Sequence, residues 1–283
     1  MKKIVIAALA AILCLPLAAQ KQNKQKQAEA QPDFSLFEKK EYDKDGYKLP
    51  YRILWPENMK KGEKYPLFLF LHGMGKRGTE NERQLDRGAP LFLDPANRKK
   101  YPCIALYPQA PKTSAFVEVV DSKGEVASGG FGRMSKDKEG GMTVNLSPYG
   151  NMVYDLIEQL IKQGVVDTDR IYVSGSSMGG FSTYTFLAKY PDLWAAACPM
   201  AGGTDLRTVK NWAGKVPVWI VHGDQDPVVS PDNDRKVVEM LKQMGVTNYR
   251  YSEYKGVKHD SWDNAFAEPD YLEWFFSKSK SSK

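Results

Sequence analysis

Five short runs of this chain are apolar almost from end to end, at residues 65–71, 103–107, 171–174, 195–198 and 216–221. A strand with one wet face alternates polar and apolar side chains. A strand covered on both faces, as in a parallel sheet, has no need to alternate. Segments with helical spacing separate these runs. Ser147-Pro148 is an N-cap with proline at the first helical position, and Tyr149, Met152, Val153, Leu156 and Leu160 follow on one face until Gly164. Ser230-Pro231 repeats the start signal, with Val237, Val238, Leu241 and Met244 on one face. Thr79-Glu-Asn-Glu82 has the pattern of a capping box, and 269–276 reads as a terminal helix. Residues 37–42 and 47–55 flank Asp45-Gly46, a hairpin signal, and 249–254 is a last strand-like run. Strand–helix alternation of this kind predicts an α/β fold, a mostly parallel doubly wound sheet flanked by helices. With no internal repeat and no second core, 36–277 is expected to form one domain. Residues 112–146 are glycine-rich and too long for an ordinary connection. They are read as a segment inserted over one rim of the sheet, with strand-like pieces at 116–120 and 142–146.

The junction of one apolar run with a helix carries the chemistry. In Gly175-Ser176-Ser177-Met178-Gly179 the central serine is flanked by glycines two positions away on each side. A chain turning sharply from strand to helix has no room for side chains there, and the turn lifts Ser177 above the sheet. The helix is expected over 178–189. The alternative is a tight turn with an idle serine. Ser176 lacks the flanking pattern, since its neighbours two away are Ser174 and Met178. A serine nucleophile needs a base, and the chain has three histidines. His72 and His222 end apolar strands, whereas His259 lies in a loop after the last strand, where a base can reach over the serine. The acid that holds its tautomer is expected to be Asp226, in His-Gly-Asp-Gln-Asp-Pro, with Asp224 as runner-up. The order Ser177, Asp226, His259 is that of serine hydrolases built on this kind of sheet. Two backbone N–H groups are expected to face a developing oxyanion. One belongs to Met178, directly after the serine, and the other to Met74, in the loop His72-Gly-Met-Gly75. His72 itself is read as structural.

These residues carry a resemblance. The stretch Leu-Phe-Leu-His-Gly-Met-Gly with Arg77-Gly-Thr-Glu-Asn81, then Tyr107-Pro-Gln, Gly-Ser-Ser-Met-Gly-Gly, His-Gly-Asp-Gln-Asp-Pro-Val and Lys-His259-Asp-Ser-Trp262 resembles the α/β-hydrolase superfamily. Within it, the chain is similar to exported bacterial esterases of the feruloyl and acetyl-xylan esterase, dienelactone hydrolase-like and predicted-peptidase branch. The resemblance covers roughly residues 47–277 and departs from those relatives at 112–146. It implies an α/β-hydrolase fold and a strand order that separates Cys103 from Cys198 by three strands, about 14 Å at roughly 4.8 Å per strand. A disulfide needs Cα atoms within about 7 Å, so two free, buried thiols are expected.

The ends of the chain account for its charge. Residues 1–29 carry five lysines against Glu29, and 278–283 carry three lysines, so of the formal +6 the body holds −1. A near-neutral body without a basic stripe disfavours a nucleic-acid partner. Lys2 and Lys3, the apolar run 4–17 and Ala18-Ala19 have the layout of a signal peptide spanning 1–19, which implies export to the periplasm or beyond. A retained anchor and a lipoprotein acylated at Cys14 are the alternatives. The run is short of the roughly 20 residues a span needs, and Leu13 stands where lipidation wants a small residue. Residues 20–35 read as a disordered tether and 278–283 as a disordered tail. No stable membrane span is expected in the mature chain.

The expected function is therefore a secreted serine hydrolase that cleaves carboxylic esters through an acyl-enzyme. The resemblance points to a carbohydrate-linked ester of feruloyl or acetyl type. A serine peptidase using the same residues, and a noncatalytic binding protein retaining the fold, remain alternatives. No cofactor is expected, and the histidines show no paired spacing for a metal. Trp262, Phe116 and Phe131 are candidate walls for a sugar or aryl group, and Arg133 for a carboxylate, with ordinary packing or solvation the alternative for each.

Overall fold

The computed structural model describes residues 32–120, 125 and 143–282. By Cα proximity the chain divides between Asp33 and Phe34, and the fold described is that of the second unit. Residues 1–31, which hold the expected signal peptide and most of the tether, lie outside the described residues, as do Phe131 and Arg133.

Each apolar run feeds two cores at once. In β3 (Tyr65–Leu71), Leu67, Leu69 and Leu71 join one buried cluster while Phe68 and Phe70 join another. The same two-residue period divides β4 (Ile104–Pro108), β7 (Val166–Ser176), β8 (Ala196–Met200) and β9 (Val218–Gly223). With β1 (Glu38–Lys44), β2 (Tyr47–Leu54) and β10 (Tyr249–Tyr254) they form an eight-stranded sheet ordered β1-β2-β4-β3-β7-β8-β9-β10. The pairs β1–β2 and β2–β4 are antiparallel and the rest parallel. The hairpin between β1 and β2 turns at Asp45 and Gly46, both with positive φ, as a two-residue turn of this kind requires.

Helices cover both faces. The first cluster is closed by α3 (Pro148–Lys162), α4 (Met178–Lys189) and α5 (Asp232–Gln243). The second is closed by α1 (Ala89–Leu93), α6 (Ser261–Ala267) and α7 (Tyr271–Phe276). A further short helix, α2 (Pro95–Lys100), follows α1. Each Leu, Ile, Val or Phe buried this way is worth about 1.5–3 kcal/mol, which is what favours a sheet sandwiched between helices. Cys103 precedes β4 and Cys198 lies on β8, three strands apart, and both thiols are free and buried. Burial pushes the Cys103 thiol up to about 12.

Four expectations differ from the structure. Thr79–Glu82 starts no α-helix, because Asn81 takes a left-handed φ of 59°, and the 3-10 turn Arg83–Asp86 that follows has no side-chain cap. The Asn81 side-chain amide donates to the Lys40 and Tyr51 carbonyls, and Glu82 pairs with Lys39. Met244 does not share the buried face of Val237, Val238 and Leu241; it lies past the end of α5 and is exposed. Phe116 walls no cleft, since it is fully buried with its ring edge-on to His72. Residues 278–282, expected as a solvated tail, lie against the fold: Tyr172 Oη donates to the Lys278 carbonyl and Lys280 Nζ to the Asp192 carbonyl. The strand-like pieces of the inserted segment pair as an antiparallel ribbon, β5 (Val117–Val120) with β6 (Thr143–Leu146).

Candidate active site

β7 ends at Ser176 and α4 begins at Met178, so Ser177 makes the whole turn, at φ 56° and ψ −117°. A non-glycine residue is held there only when its surroundings over-determine it. Here the Ser177 N–H donates to the Met200 carbonyl at 2.8 Å, tying the turn to β8. The flanking glycines have the steric role their spacing implies. A Cβ on Gly175 would stand 2.4 Å from the Gly179 carbonyl oxygen, and one on Gly179 would stand 1.8 Å from that of Leu71.

The end of β3 also meets this turn. Leu71, the end of β3, pairs with Gly175, which brings the loop from His72 alongside Ser177. Gly73 lies close to the serine: a Cβ there would be 3.4 Å from Ser177 Cβ. Met74 opens the short 3-10 turn Met74–Lys76 in this loop. The His72 ring spans the loop, donating from Nδ1 to the Gly73 carbonyl (2.8 Å) and accepting the Ala110 N–H at Nε2 (3.0 Å). Both partners demand a neutral ring, and burial lowers its pKa to about 4. Met178 is the first residue of α4, so its N–H has no carbonyl one turn earlier to bond. The two backbone groups expected to face an oxyanion thus lie in the segments on either side of Ser177.

β9 ends at Gly223, and Asp226 follows. Gly223 is needed because a Cβ would stand 2.2 Å from the Lys258 carbonyl oxygen, in the loop that carries His259. Asp226 Oδ1 accepts the N–H groups of Val228 (2.8 Å) and Val229 (3.0 Å), which leaves Oδ2 to face the rings. His259 Nδ1 donates to Asp226 Oδ2 at 2.7 Å, and Ser177 Oγ donates to His259 Nε2 at 2.9 Å. The carboxylate is fully buried and the imidazole 22% exposed. Burial alone would push the Asp226 carboxyl up. Bonds from His222, His259 and the Val229 and Val228 amides outweigh it and hold the carboxyl well below the usual range. Asp224, the runner-up, is turned elsewhere: its Oδ1 accepts the Gly256 N–H at 2.6 Å and braces the His259 loop. Asp263, nearer to His259 in sequence, pairs with Arg87.

Trp262 lies beside this chain of bonds, its ring edge-on to His259 at 5.2 Å between centroids. Its Nε1 is buried without a hydrogen-bond partner among the described residues. Sequence reasoning missed a second cluster behind Asp226, built on His222, Asp234 and Tyr184. The available signal was an ionisable residue inside an apolar strand.

His259, held in one tautomer by the ionised Asp226, can take the Ser177 proton at Nε2 and make the serine oxygen nucleophilic. Among the described residues no three His, Cys, Asp or Glu side chains gather to hold a metal, and no helix is long and apolar enough to cross a membrane.

A family model described as the prolyl oligopeptidase family matches residues 153–214. A solved thermostable esterase superposes with a TM-score of 0.75 at 32% identity, covering 86% of this chain and 63% of its own. A solved ferulic acid esterase superposes with a TM-score of 0.60 at 16% identity, covering 84% and 96%, a likeness of fold. Acetylxylan esterase A of Emericella nidulans is 25% identical over 196 residues, 57% of this chain and 58% of that protein. The chain thus spans less than two thirds of the length of the thermostable esterase and of the acetylxylan esterase.

Proposed function

We propose that this protein, an α/β-hydrolase by fold and similar to esterases in sequence, is an exported serine hydrolase that cleaves carboxylic esters. The observation that carries the reading is the unbroken chain Ser177 Oγ, His259 Nε2, His259 Nδ1, Asp226 Oδ2, with bonds of 2.9 and 2.7 Å. In the proposed reaction Ser177 Oγ attacks the ester carbonyl as its proton passes to His259 Nε2. The N–H groups of Met178 and Met74 stabilise the oxyanion, each worth about 10²–10³ in rate. Collapse returns the proton to the leaving alkoxide and leaves an acyl-Ser177, which water hydrolyses with His259 again as base.

The acetylxylan esterase and the ferulic acid esterase among the similar proteins support a carbohydrate-linked ester of acetyl or feruloyl type. The match to the prolyl oligopeptidase model supports a second reading, a peptidase using the same residues. The layout of residues 1–19 supports export with cleavage after Ala19.

The test is hydrolysis of p-nitrophenyl acetate by wild type and by Ser177→Ala, followed by acetyl, feruloyl, methyl-glucuronoyl and peptide substrates. Wild type is expected to turn over the acetate and at least one carbohydrate ester, with Ser177→Ala inert but folded. Turnover of peptides without esters would replace this reading with the peptidase. A folded wild type inert on every substrate would leave a noncatalytic binding protein. A mature N-terminus at Gln20, read by mass spectrometry from a secreting host, is the outcome expected for export.

A further inference from the structure

The strand residue His222 is fully buried, and its ring faces acceptors on both sides. Nδ1 is 2.6 Å from Asp234 Oδ2, while Nε2 is 3.0 Å from the Val229 carbonyl oxygen and 3.3 Å from Asp226 Oδ2. A carbonyl cannot donate. Asp226 accepts two backbone N–H groups and the His259 ring, the bonding of a carboxylate. Asp234 accepts the Tyr184 hydroxyl at Oδ1 (2.5 Å) and sits in the first turn of α5, where the helix dipole favours negative charge. A neutral ring would therefore turn a lone pair toward an acceptor on one side or the other.

We propose that His222 is a permanently doubly protonated positioning residue: a buried imidazolium clamped between Asp234 and Asp226 that fixes the carboxylate on which His259 leans. The Val229 residue whose carbonyl takes Nε2–H also gives its N–H to Asp226 Oδ1. One ring thus holds both ends of the turn that aims Asp226. Burial by itself would discharge the ring, but the bonds to Asp226 and Asp234 outweigh it and raise its pKa well above the usual range. Among the described residues, the other titratable groups around the cluster are Glu253, the β10 register partner of His222 on β9, and Tyr251 and Arg235, both bound to Glu253. The buried Cys198 thiol on β8 completes the set.

This clamp has an electrostatic consequence, which rests on the hydrolase reading above. A cation behind Asp226 shares its negative charge, so less of that charge acts on the Ser177–His259 pair that leans on the carboxylate. Asp234→Asn keeps the shape and removes the counter-charge that holds the proton on His222. The double variant His222→Gln/Asp234→Asn removes the pair together, avoiding a lone buried charge.

Two measurements decide it. The first is the ¹⁵N spectrum of the histidine-labelled full chain from pH 6 to 8.5. One ring, lost in Asp234→Asn, is expected to keep both nitrogens protonated throughout. A single protonated nitrogen on His222 at pH 7 would overturn the proposal. The second is the pH profile of Ser177 labelling by a fluorophosphonate, which needs no knowledge of the natural substrate. In both variants its acid limb is expected to move upward by on the order of half a pH unit or more. An unmoved limb in folded variants would leave His222 merely structural and refute the positioning role. The failures are distinguishable: a wild type that never labels removes the hydrolase reading and the positioning claim with it, whatever the nitrogen spectrum shows.

Discussion

Two aspartates separated by one residue have different partners, and their bonds assign them different tasks. Asp226 Oδ2 accepts from His259 at 2.7 Å, whereas Asp224 Oδ1 accepts the Gly256 N–H at 2.6 Å. Asp226→Asn is expected to lower kcat by roughly 10³–10⁴ with little change in KM, because the amide stabilises the wrong tautomer of His259. Asp224→Ala is expected to leave kcat within a few-fold and to cost about 1 kcal/mol of stability, the worth of a single bond to a backbone N–H. Steady-state hydrolysis of p-nitrophenyl acetate and thermal unfolding of both variants check this, and a collapse of kcat in Asp224→Ala alone would reverse the assignment. Chain order and the position of His259 in a loop pointed in the sequence to Ser177, Asp226 and His259, which the fold brings into one hydrogen-bonded chain and whose catalytic role is the proposal above. His222 was not legible there, because Asp234, which bonds its Nδ1, and Tyr184, which bonds Asp234 in turn, stand 12 and 38 residues away and share no pattern with it.

Helix starts show what a local pattern can and cannot reveal. Ser147 behaves as its sequence context implies: Oγ accepts the Gly150 N–H at 3.1 Å and also donates to the Ala115 carbonyl. Its own N–H donates to the Phe116 carbonyl at 3.1 Å, so this cap joins α3 to the chain entering β5. Thr79–Glu82 has an equally good pattern and caps nothing, because the buried Gln84, Gln109 and Arg52 bind Asn81 in a turn instead. Tertiary polar bonds there outcompete a local cap worth about 1 kcal/mol. The short α2 had a readable signal in Asp94-Pro95, since Asp94 Oδ1 accepts the Asn97 N–H at 2.9 Å, but its helix is too short to show a hydrophobic period. Ser147→Ala is expected to lose about 1–2 kcal/mol and lower Tm, whereas Thr79→Ala stays within roughly 0.5 kcal/mol. Equal losses in thermal or urea unfolding would show that the side-chain bonds at Ser147 contribute nothing specific.

At the scale of the whole molecule, the parallel sheet followed from apolar runs and their connections and its strand order from the family resemblance, while the response to pH depends on burial that no run displays. His72 and His222 both end buried strands, yet their partners drive them in opposite directions. His72 accepts a backbone N–H, so it must be neutral, and its pKa falls from 6.5 to about 4. Between those values the unfolded chain binds a proton that the native chain refuses. Stability from His72 is therefore complete above pH 6.5 and is lost as pH falls toward 4, by up to about 3 kcal/mol at 1.36 kcal/mol per unit. His222 is raised instead, so its contribution is complete below pH 6.5 and is lost as pH climbs toward its folded value. The lowered Asp226 carboxyl adds a further loss on the acid side, below the ordinary carboxylate value of 3.8. The two histidines together place a stability maximum near pH 6.5, with an acid limb owned by one ring and an alkaline limb by the other. Urea midpoints measured from pH 4 to 9.5 are expected to trace this dome. His72→Gln should flatten the acid limb between pH 6.5 and 4, and Asp234→Asn should flatten the alkaline limb while leaving the acid limb in place. A wild-type stability that kept rising through pH 9 would mean that His222 is not held as a cation, whereas flattening of both limbs by either single variant would mean that the rings do not act independently.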